Sequence, residues 1–80
     1  MAAQLRLSLD NLEAVLAGAG MTLANVVRLN VYATDVGSVF QHNDVLMERF
    51  KGTRYATTVL AVAHLAGPDL LVVLEATAMD

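Results

Sequence analysis

The sequence predicts a single α/β (α+β) domain with the element order α-β-α-β-β and with its helices on one face of a mixed sheet. Apolar residues recur every three or four positions near the N-terminus, alternate with polar residues further along, and form two β-rich runs near the C-terminus. A chain of 80 residues is too short to bury two hydrophobic cores. Residues 1–80 therefore form one domain.

The first helix is predicted over residues 1–19. Its apolar residues are three or four positions apart and lie on one stripe, which consists of Leu5, Leu9, Leu12, Leu16 and Ala19. Gly18 and Gly20 supply the stop signal. The N-terminus of this predicted helix is unusual because the first three residues offer no side chain that can cap a helix.

Residues 26–34 are predicted to form a strand because their side chains alternate in character. One face is fully apolar and consists of Val27, Leu29, Val31 and Ala33. The opposite face consists of Val26, Arg28, Asn30, Tyr32 and Thr34. The apolar face is expected to lie on the core.

A second helix is predicted over about residues 39–50. Ser38 and Gln41 have the spacing of a capping box at its start, and Lys51-Gly52 ends it. This connection is long enough to join two parallel strands by a right-handed crossover, which would place both helices on the same side of the sheet.

Two further strands are predicted over residues 57–64 and 70–78, joined by a turn that contains Gly67-Pro68-Asp69. Both strands are apolar on both faces, whereas a strand with one face in water alternates. The chain is 56% apolar and 16% charged with a mean hydropathy of +0.54, which is more apolar surface than a small monomer can cover. We therefore expect another subunit on the sheet face away from the helices.

The composition argues against several classes of protein. The chain has no cysteine, which excludes disulfides and thiolate metal sites within it and favours a reducing, cytoplasmic location. Arg6 and Asp10 interrupt the N-terminal stretch, and no apolar run reaches the roughly 18 residues that a membrane span needs. A net charge of −3 gives no basic field for nucleic acid. His42 and His64 lie on different predicted elements, so no metal site is predicted.

Four segments also match, in order and spacing, the motifs of one known family. Residues 4–20 are similar to its "Q…NL…VL..AG" helix, and residues 26–35 are similar to its "VV…V…TD" strand. Residues 40–50 have its "F…N…F" helical pattern, and residues 70–78 resemble its closing "LVEIEA.A" strand. Across essentially all of its length, the chain resembles the RidA/YjgF family.

The resemblance implies a chorismate-mutase-like (YjgF-like) fold and a homotrimer with ligand pockets between subunits. Characterised members hydrolyse enamine or imine intermediates derived from amino acids to 2-oxo acids and ammonia. The implied partners are copies of the chain and a small carboxylate or carbonyl ligand, and no cofactor is implied. The family has a β-hairpin and a further strand ahead of the first helix, so residues 1–80 are expected to be a RidA/YjgF-like domain without those strands.

Two departures from the family pattern bear on chemistry. Thr57 occupies the place of an arginine that binds the substrate carboxylate in the deaminases, and Arg54 is the nearest guanidinium in sequence. Val73 replaces the first of two acidic residues in the closing strand, the one thought to handle the attacking water, which leaves Glu75. The resemblance therefore implies weak or absent deaminase activity. The alternative is a non-catalytic trimeric member with a structural or regulatory role.

The candidate ligand-binding residues are Asn43, Arg54 and Thr57. Asn43 shares a helical stripe with apolar residues and is expected to face inward, either toward a ligand or bonded to neighbouring backbone. Arg54 either reaches an anionic ligand at the cleft or is simply solvated. Glu75 is a weak catalytic candidate, and its alternative is a structural salt bridge with Arg28 or Arg54.

Overall fold

The computed structural model describes all residues 1–80 and confirms the predicted fold class and the order of helices and strands. Its elements are, in order, α1 (Ala2–Gly18), a 3₁₀ turn (Leu23–Asn25), β1 (Val26–Ala33), α2 (Val36–Gln41), α3 (Asn43–Arg49), β2 (Ala56–Ala61) and β3 (Val72–Ala78). None of the helices combines the length and the apolar character needed to cross a membrane.

The sheet has three strands in the order β2-β1-β3. Strand β1 runs parallel to β2, with Val31 opposite Val59, and antiparallel to β3, with Val31 opposite Leu74. The predicted parallel crossover through the helices is therefore confirmed, and the sheet is mixed. The last two strands do not pair with each other, because residues 62–71 carry the chain to the opposite edge of β1.

The core lies between α1, the inner face of the sheet and the two short helices. It contains 13 buried residues, and all of them are apolar. Helix α1 contributes Leu5, Leu9 and Leu16 from its predicted stripe, and β1 contributes Leu29 and Val31, which are 0% exposed. The regularly spaced apolar residues of α1 thus form the contact between this helix and the sheet.

The start of β1 departs from the predicted alternation. A β-bulge lies between Val26 and Arg28 in the pairing with β3. As a result Val26 is 1% exposed whereas Val27 is 41% exposed, so the prediction that Val27 faces the core is wrong. The extra residue in the bulge shifts the side-chain phase by one position, which alternation alone does not reveal.

The second predicted helix is two helices. Asp35 is the N-cap of α2, and its carboxylate accepts hydrogen bonds from the Ser38 amide at 3.4 Å and the Ser38 hydroxyl at 3.1 Å. The predicted capping box at Ser38 is therefore wrong by three positions. The chain leaves helical geometry at His42, where φ is −113°, and a new helix begins at Asn43.

That break changes which side of the helix faces the core. Val45 and Leu46 are the buried residues of α3, and Asn43 is exposed. The prediction that Asn43 faces inward is therefore wrong, because it assumed one continuous helical phase from Val39 to Phe50.

Polar contacts hold α1 to the rest of the domain. The Gln4 side chain donates to the carbonyl of Asp69 and accepts from the amide of Leu71, both at 2.7 Å. Near the middle of α1, Arg49 lies 2.9 Å from both Asp10 and Glu13. Burial lowers the pKa of Arg49, but its hydrogen bonds to the two carboxylates and their negative charge outweigh burial and raise it.

The opposite side of the sheet has no helix on it. The register places nine side chains on this surface, here called the open face: Arg28, Asn30 and Tyr32 on β1, Ala56, Thr58 and Leu60 on β2, and Val73, Glu75 and Thr77 on β3. Leu60 is 48% exposed and Val73 is 36% exposed. Part of the apolar excess of the composition therefore lies on a surface that this chain leaves uncovered.

We expect Leu9→Ala to lower the free energy of unfolding by about 2–5 kcal/mol, because it empties a site that is 0% exposed. Leu7→Ala is the matched control, since Leu7 lies on the same helix and is 59% exposed, and its effect is expected to stay within about 0.5 kcal/mol. Urea denaturation followed by circular dichroism measures both. Equal losses for the two variants would contradict the assignment of the core-facing stripe.

Candidate functional site

The one cluster of hydrogen-bonded polar side chains on the open face lies at the centre of the sheet. It consists of Asn30 and Tyr32 on β1 and Glu75 on β3. Asn30 lies directly opposite Glu75 in the antiparallel pairing, and Tyr32 lies opposite Val73, the next open-face position. Strand alternation and register therefore bring the three side chains to one surface.

The cluster is organised around a single carboxylate oxygen. Oε1 of Glu75 accepts a hydrogen bond from Nδ2 of Asn30 at 2.9 Å and one from the hydroxyl of Tyr32 at 3.2 Å. The second carboxylate oxygen accepts none from this chain. The carboxylate is thus held in place while one oxygen stays available to another group.

These bonds set the charge state of the cluster. The hydrogen bonds from Asn30 and Tyr32 lower the pKa of Glu75, and they outweigh desolvation, which acts in the opposite direction. The hydrogen bond to Glu75, desolvation and the neighbouring negative charge raise the pKa of Tyr32. At neutral pH the cluster therefore consists of an ionised carboxylate that accepts hydrogen bonds from two neutral donors.

This environment limits what Glu75 can do chemically. A general base works best when its pKa lies near the operating pH, and here the pKa is shifted away from neutrality. The carboxylate is better suited to bind a cation or a hydrogen-bond donor than to take a proton from water. The structural salt bridge predicted for Glu75 with Arg28 or Arg54 is absent within the chain, where Arg49 makes the ion pairs.

The two positions that differ from the deaminase pattern lie on opposite faces of the sheet. Thr57 pairs with Leu29, on the side of the helices, and it is exposed at the edge strand. Val73 pairs with Tyr32, on the open face. Within one chain, Thr57 and the Val73–Glu75 pair therefore cannot line the same pocket.

Asn43 and Arg54 lie elsewhere. Asn43 is the first residue of α3, Arg54 lies in the loop before β2, and both are exposed. No hydrogen bond or ion pair joins Asn43, Arg54, Thr57 or Glu75 to another of these four. One chain thus presents the candidates on separate surfaces.

The grooves of the chain do not gather these candidates either. A groove of about 410 Å³ lies at the end of α1 and is lined in part by Glu13, Thr22, Arg49 and Lys51. Another, of about 370 Å³, runs between α1 and β3 and is mainly apolar. None of the four sequence-derived candidates lines any groove of the chain.

Sequence reasoning missed Asn30 and Tyr32 as partners of Glu75. The signal was present in part, because alternation placed both residues on the polar face of the first strand. The missing information was the register between β1 and β3, which pairs residues 45 positions apart in the chain.

We expect the Glu75 carboxyl to titrate below the ordinary glutamate pKa of 4.5 in the folded chain. Tyr32→Phe removes one of its two hydrogen bonds and is expected to raise that pKa toward the ordinary value. Tyr55→Phe is the control, because Tyr55 packs on Phe50, with ring centroids 4.5 Å apart, and makes no hydrogen bond to Glu75. Carbon-13 NMR of the side-chain carboxyl measures all three proteins.

The lowered pKa also fixes the sign of the effect on stability. Because folding favours the ionised carboxylate, this contribution is complete above pH 4.5 and is lost as the pH falls through the lowered pKa. A Glu75 carboxyl that titrates at or above 4.5 in the folded protein would contradict the hydrogen-bonded cluster.

Comparison with known proteins places the chain in a family. The family model described as Endoribonuclease L-PSP matches residues 1–80. A RutC family protein of Pyrococcus horikoshii is 33% identical over 75 residues, which cover 94% of this chain and 59% of that protein. The chain therefore spans a little over half the length of this relative.

Solved structures agree with this assignment. A member of the YjgF/YER057c/UK114 family from Mycobacterium tuberculosis superposes with a TM-score of 0.83 at 38% identity, covering 88% of this chain and 59% of that one. Escherichia coli TdcF, solved with bound serine, superposes with a TM-score of 0.85 at 28% identity, covering 94% of this chain and 61% of that one. The chain belongs to the RidA/YjgF family, the family of the Endoribonuclease L-PSP model.

Proposed function

We propose that the chain is part of a RidA-like small-molecule-binding protein, related to the 2-imino acid deaminases, with weak or no deaminase activity. Family membership supports the binding role. The observation that carries the loss of activity is the pair of replacements at the chemical positions, Thr57 for an arginine and Val73 for an acid.

Each replacement removes a chemical group that imine hydrolysis needs. Water must add to the C=N carbon, which requires a group that takes a proton from the water, and ammonia must leave with a proton gained at nitrogen. Valine at position 73 can accept no proton, and threonine at position 57 offers no planar, charged donor for a substrate carboxylate. Glu75 is a poor substitute base because its pKa is lowered.

The proposed ligand is a small carboxylate or carbonyl compound. TdcF was solved with serine, a small amino acid with a carboxylate, and it covers most of this chain in superposition. Arg54 is the free guanidinium nearest to Thr57 in sequence, and Asn43 offers an exposed amide. We assign both to ligand binding, with Thr57 at the edge of the same cleft.

The proposed assembly is a homotrimer with ligand clefts between subunits. Two observations support it: the open face carries exposed apolar side chains, and the candidate residues of one chain lie on separate surfaces. A neighbouring copy can cover the exposed apolar side chains of the open face. It can also bring candidate residues of two chains together at one cleft. The same observations also fit the second candidate function, a non-catalytic trimeric member with a structural or regulatory role.

In an assay of ammonia release from 2-iminobutyrate, we expect the rate with the 80-residue chain to be no higher than the rate of the uncatalysed hydrolysis. The double variant Thr57→Arg with Val73→Glu restores both chemical groups and is expected to exceed the original chain. Robust release by the original chain would contradict the proposed roles of these two positions.

Ligand binding separates the two candidate functions. Titration with serine, followed by amide NMR, should shift the signals of Arg54 and Asn43 if the chain binds small carboxylates. Arg54→Ala should weaken that response, whereas Arg6→Ala, an exposed arginine on α1, should not. No response at either residue would favour the structural or regulatory role.

Sedimentation equilibrium is expected to give three times the chain mass of 8.5 kDa. The physical reason is that burial of exposed apolar side chains on the open face favours association. A stable monomer at high micromolar concentration would contradict the proposed assembly.

A further inference from the structure

The groove at the end of α1 is separate from the residues assigned to the proposed ligand cleft. Its volume of about 410 Å³ is large enough for a small molecule. Three segments line it: α1, the turn that precedes β1, and the end of α3 with the loop that follows. Asn43, Arg54 and Thr57 are not among its lining residues. The groove is therefore a second candidate site with chemistry of its own.

The groove has charged groups of both signs that the chain leaves partly unpaired. Arg49 lies 2.9 Å from both Asp10 and Glu13, so these three side chains together carry one net negative charge. Nε and Nη2 of Arg49 both contact Oε1 of Glu13, which leaves Oε2 without a donor from this chain. Lys51 makes no ion pair. The groove thus offers one carboxylate oxygen and one ammonium group to a ligand.

The remaining surface of the groove is partly apolar. Its apolar lining residues are Ala17, Met21, Leu23 and Ala24. Leu23 is 7% exposed and belongs to the core, so this part of the wall is fixed, whereas Met21 is half-buried and has an adaptable side chain. A short hydrocarbon segment of a ligand can therefore be covered here.

We propose that this groove binds a small zwitterion of the ω-amino carboxylate class. The ammonium group of the ligand contacts the Glu13 carboxylate, which Arg49 holds in place through Oε1. The carboxylate of the ligand contacts the Lys51 ammonium group, and the hydrocarbon segment between the two charges lies on the apolar wall.

The charge arrangement selects this class of ligand. A simple carboxylate meets the net negative charge around Arg49 as well as Lys51, and a simple amine meets Lys51 as well as Glu13. Each of them pairs with one group and leaves the other unpaired. Glu13 and Lys51 form no ion pair with each other, so a ligand that reaches both needs a spacer between its charges, which an α-amino acid lacks.

Titrations of the 80-residue chain with 6-aminohexanoate, hexanoate and hexylamine, followed by amide NMR at constant ionic strength, test the charge requirement. We expect 6-aminohexanoate to shift the signals of Glu13, Ala17 and Lys51 and to bind roughly fivefold more tightly than either singly charged compound, because each of those lacks one ion pair. Leucine, which has both charges on one carbon, is expected to bind more weakly than 6-aminohexanoate.

Variants test the two assigned residues. Lys51→Gln is expected to lower the affinity for 6-aminohexanoate to about that for hexylamine, and Glu13→Gln to about that for hexanoate. The matched controls are Arg6→Gln and Glu48→Gln, which remove the same charges at exposed positions outside this groove and are expected to leave binding unchanged. Glu13→Gln also loosens the contact with Arg49, whereas Lys51→Gln removes no ion pair of the chain, so the second variant tests the site without that effect.

Several results would overturn the proposal. These are equal affinities for 6-aminohexanoate, hexanoate and hexylamine, leucine binding as tight as that of 6-aminohexanoate, or undiminished binding by Lys51→Gln. The absence of a saturable shift at Glu13 and Lys51 with 6-aminohexanoate would overturn it as well. The serine titration of the proposed ligand cleft is measured at Arg54 and Asn43, so failure of one site is distinguishable from failure of the other.

Discussion

The structure depends on β1 being paired along both of its edges. Strand β2 adds to one edge in parallel and β3 adds to the other edge antiparallel, and the two outer strands never meet. Because side chains alternate across a strand, this one element divides the molecule into a helix-covered side and an open side. Leu29, Val31 and Ala33 are 0% exposed on the covered side, directly behind the polar side chains of the open face.

The same arrangement explains the unusual composition. A single layer of helices on a three-stranded sheet buries only one of its two faces. The buried residues are all apolar, yet Leu60 and Val73 remain substantially exposed on the other face. The apolar excess that composition shows for the whole chain thus has a location, and it is the surface on which association is proposed.

The polar side chains of that surface form one hydrogen-bonded cluster around the Glu75 carboxylate. Asn30 and Tyr32 stabilise the Glu75 carboxylate as an anion, which makes it a better binding group and a poorer base. Thr57 and Val73, which stand at the deaminase positions, lie on opposite faces of the sheet. The proposed function rests on these two observations together, the hydrogen-bonded cluster around Glu75 and the residues at positions 57 and 73.

The sequence by itself determined the fold class, the order of the elements, the stripe of α1 and the family, because these depend on local periodicity and on motif order. It determined less well where elements begin and end, since Asp35 and Ser38 both have a side chain that can cap a helix. Only the tertiary structure decided the bulge that exposes Val27, the helix break that exposes Asn43 and the register that gives Glu75 its partners. Each of these depends on contacts between residues distant in sequence or on a change of phase, and alternation and spacing within one segment carry no information about either.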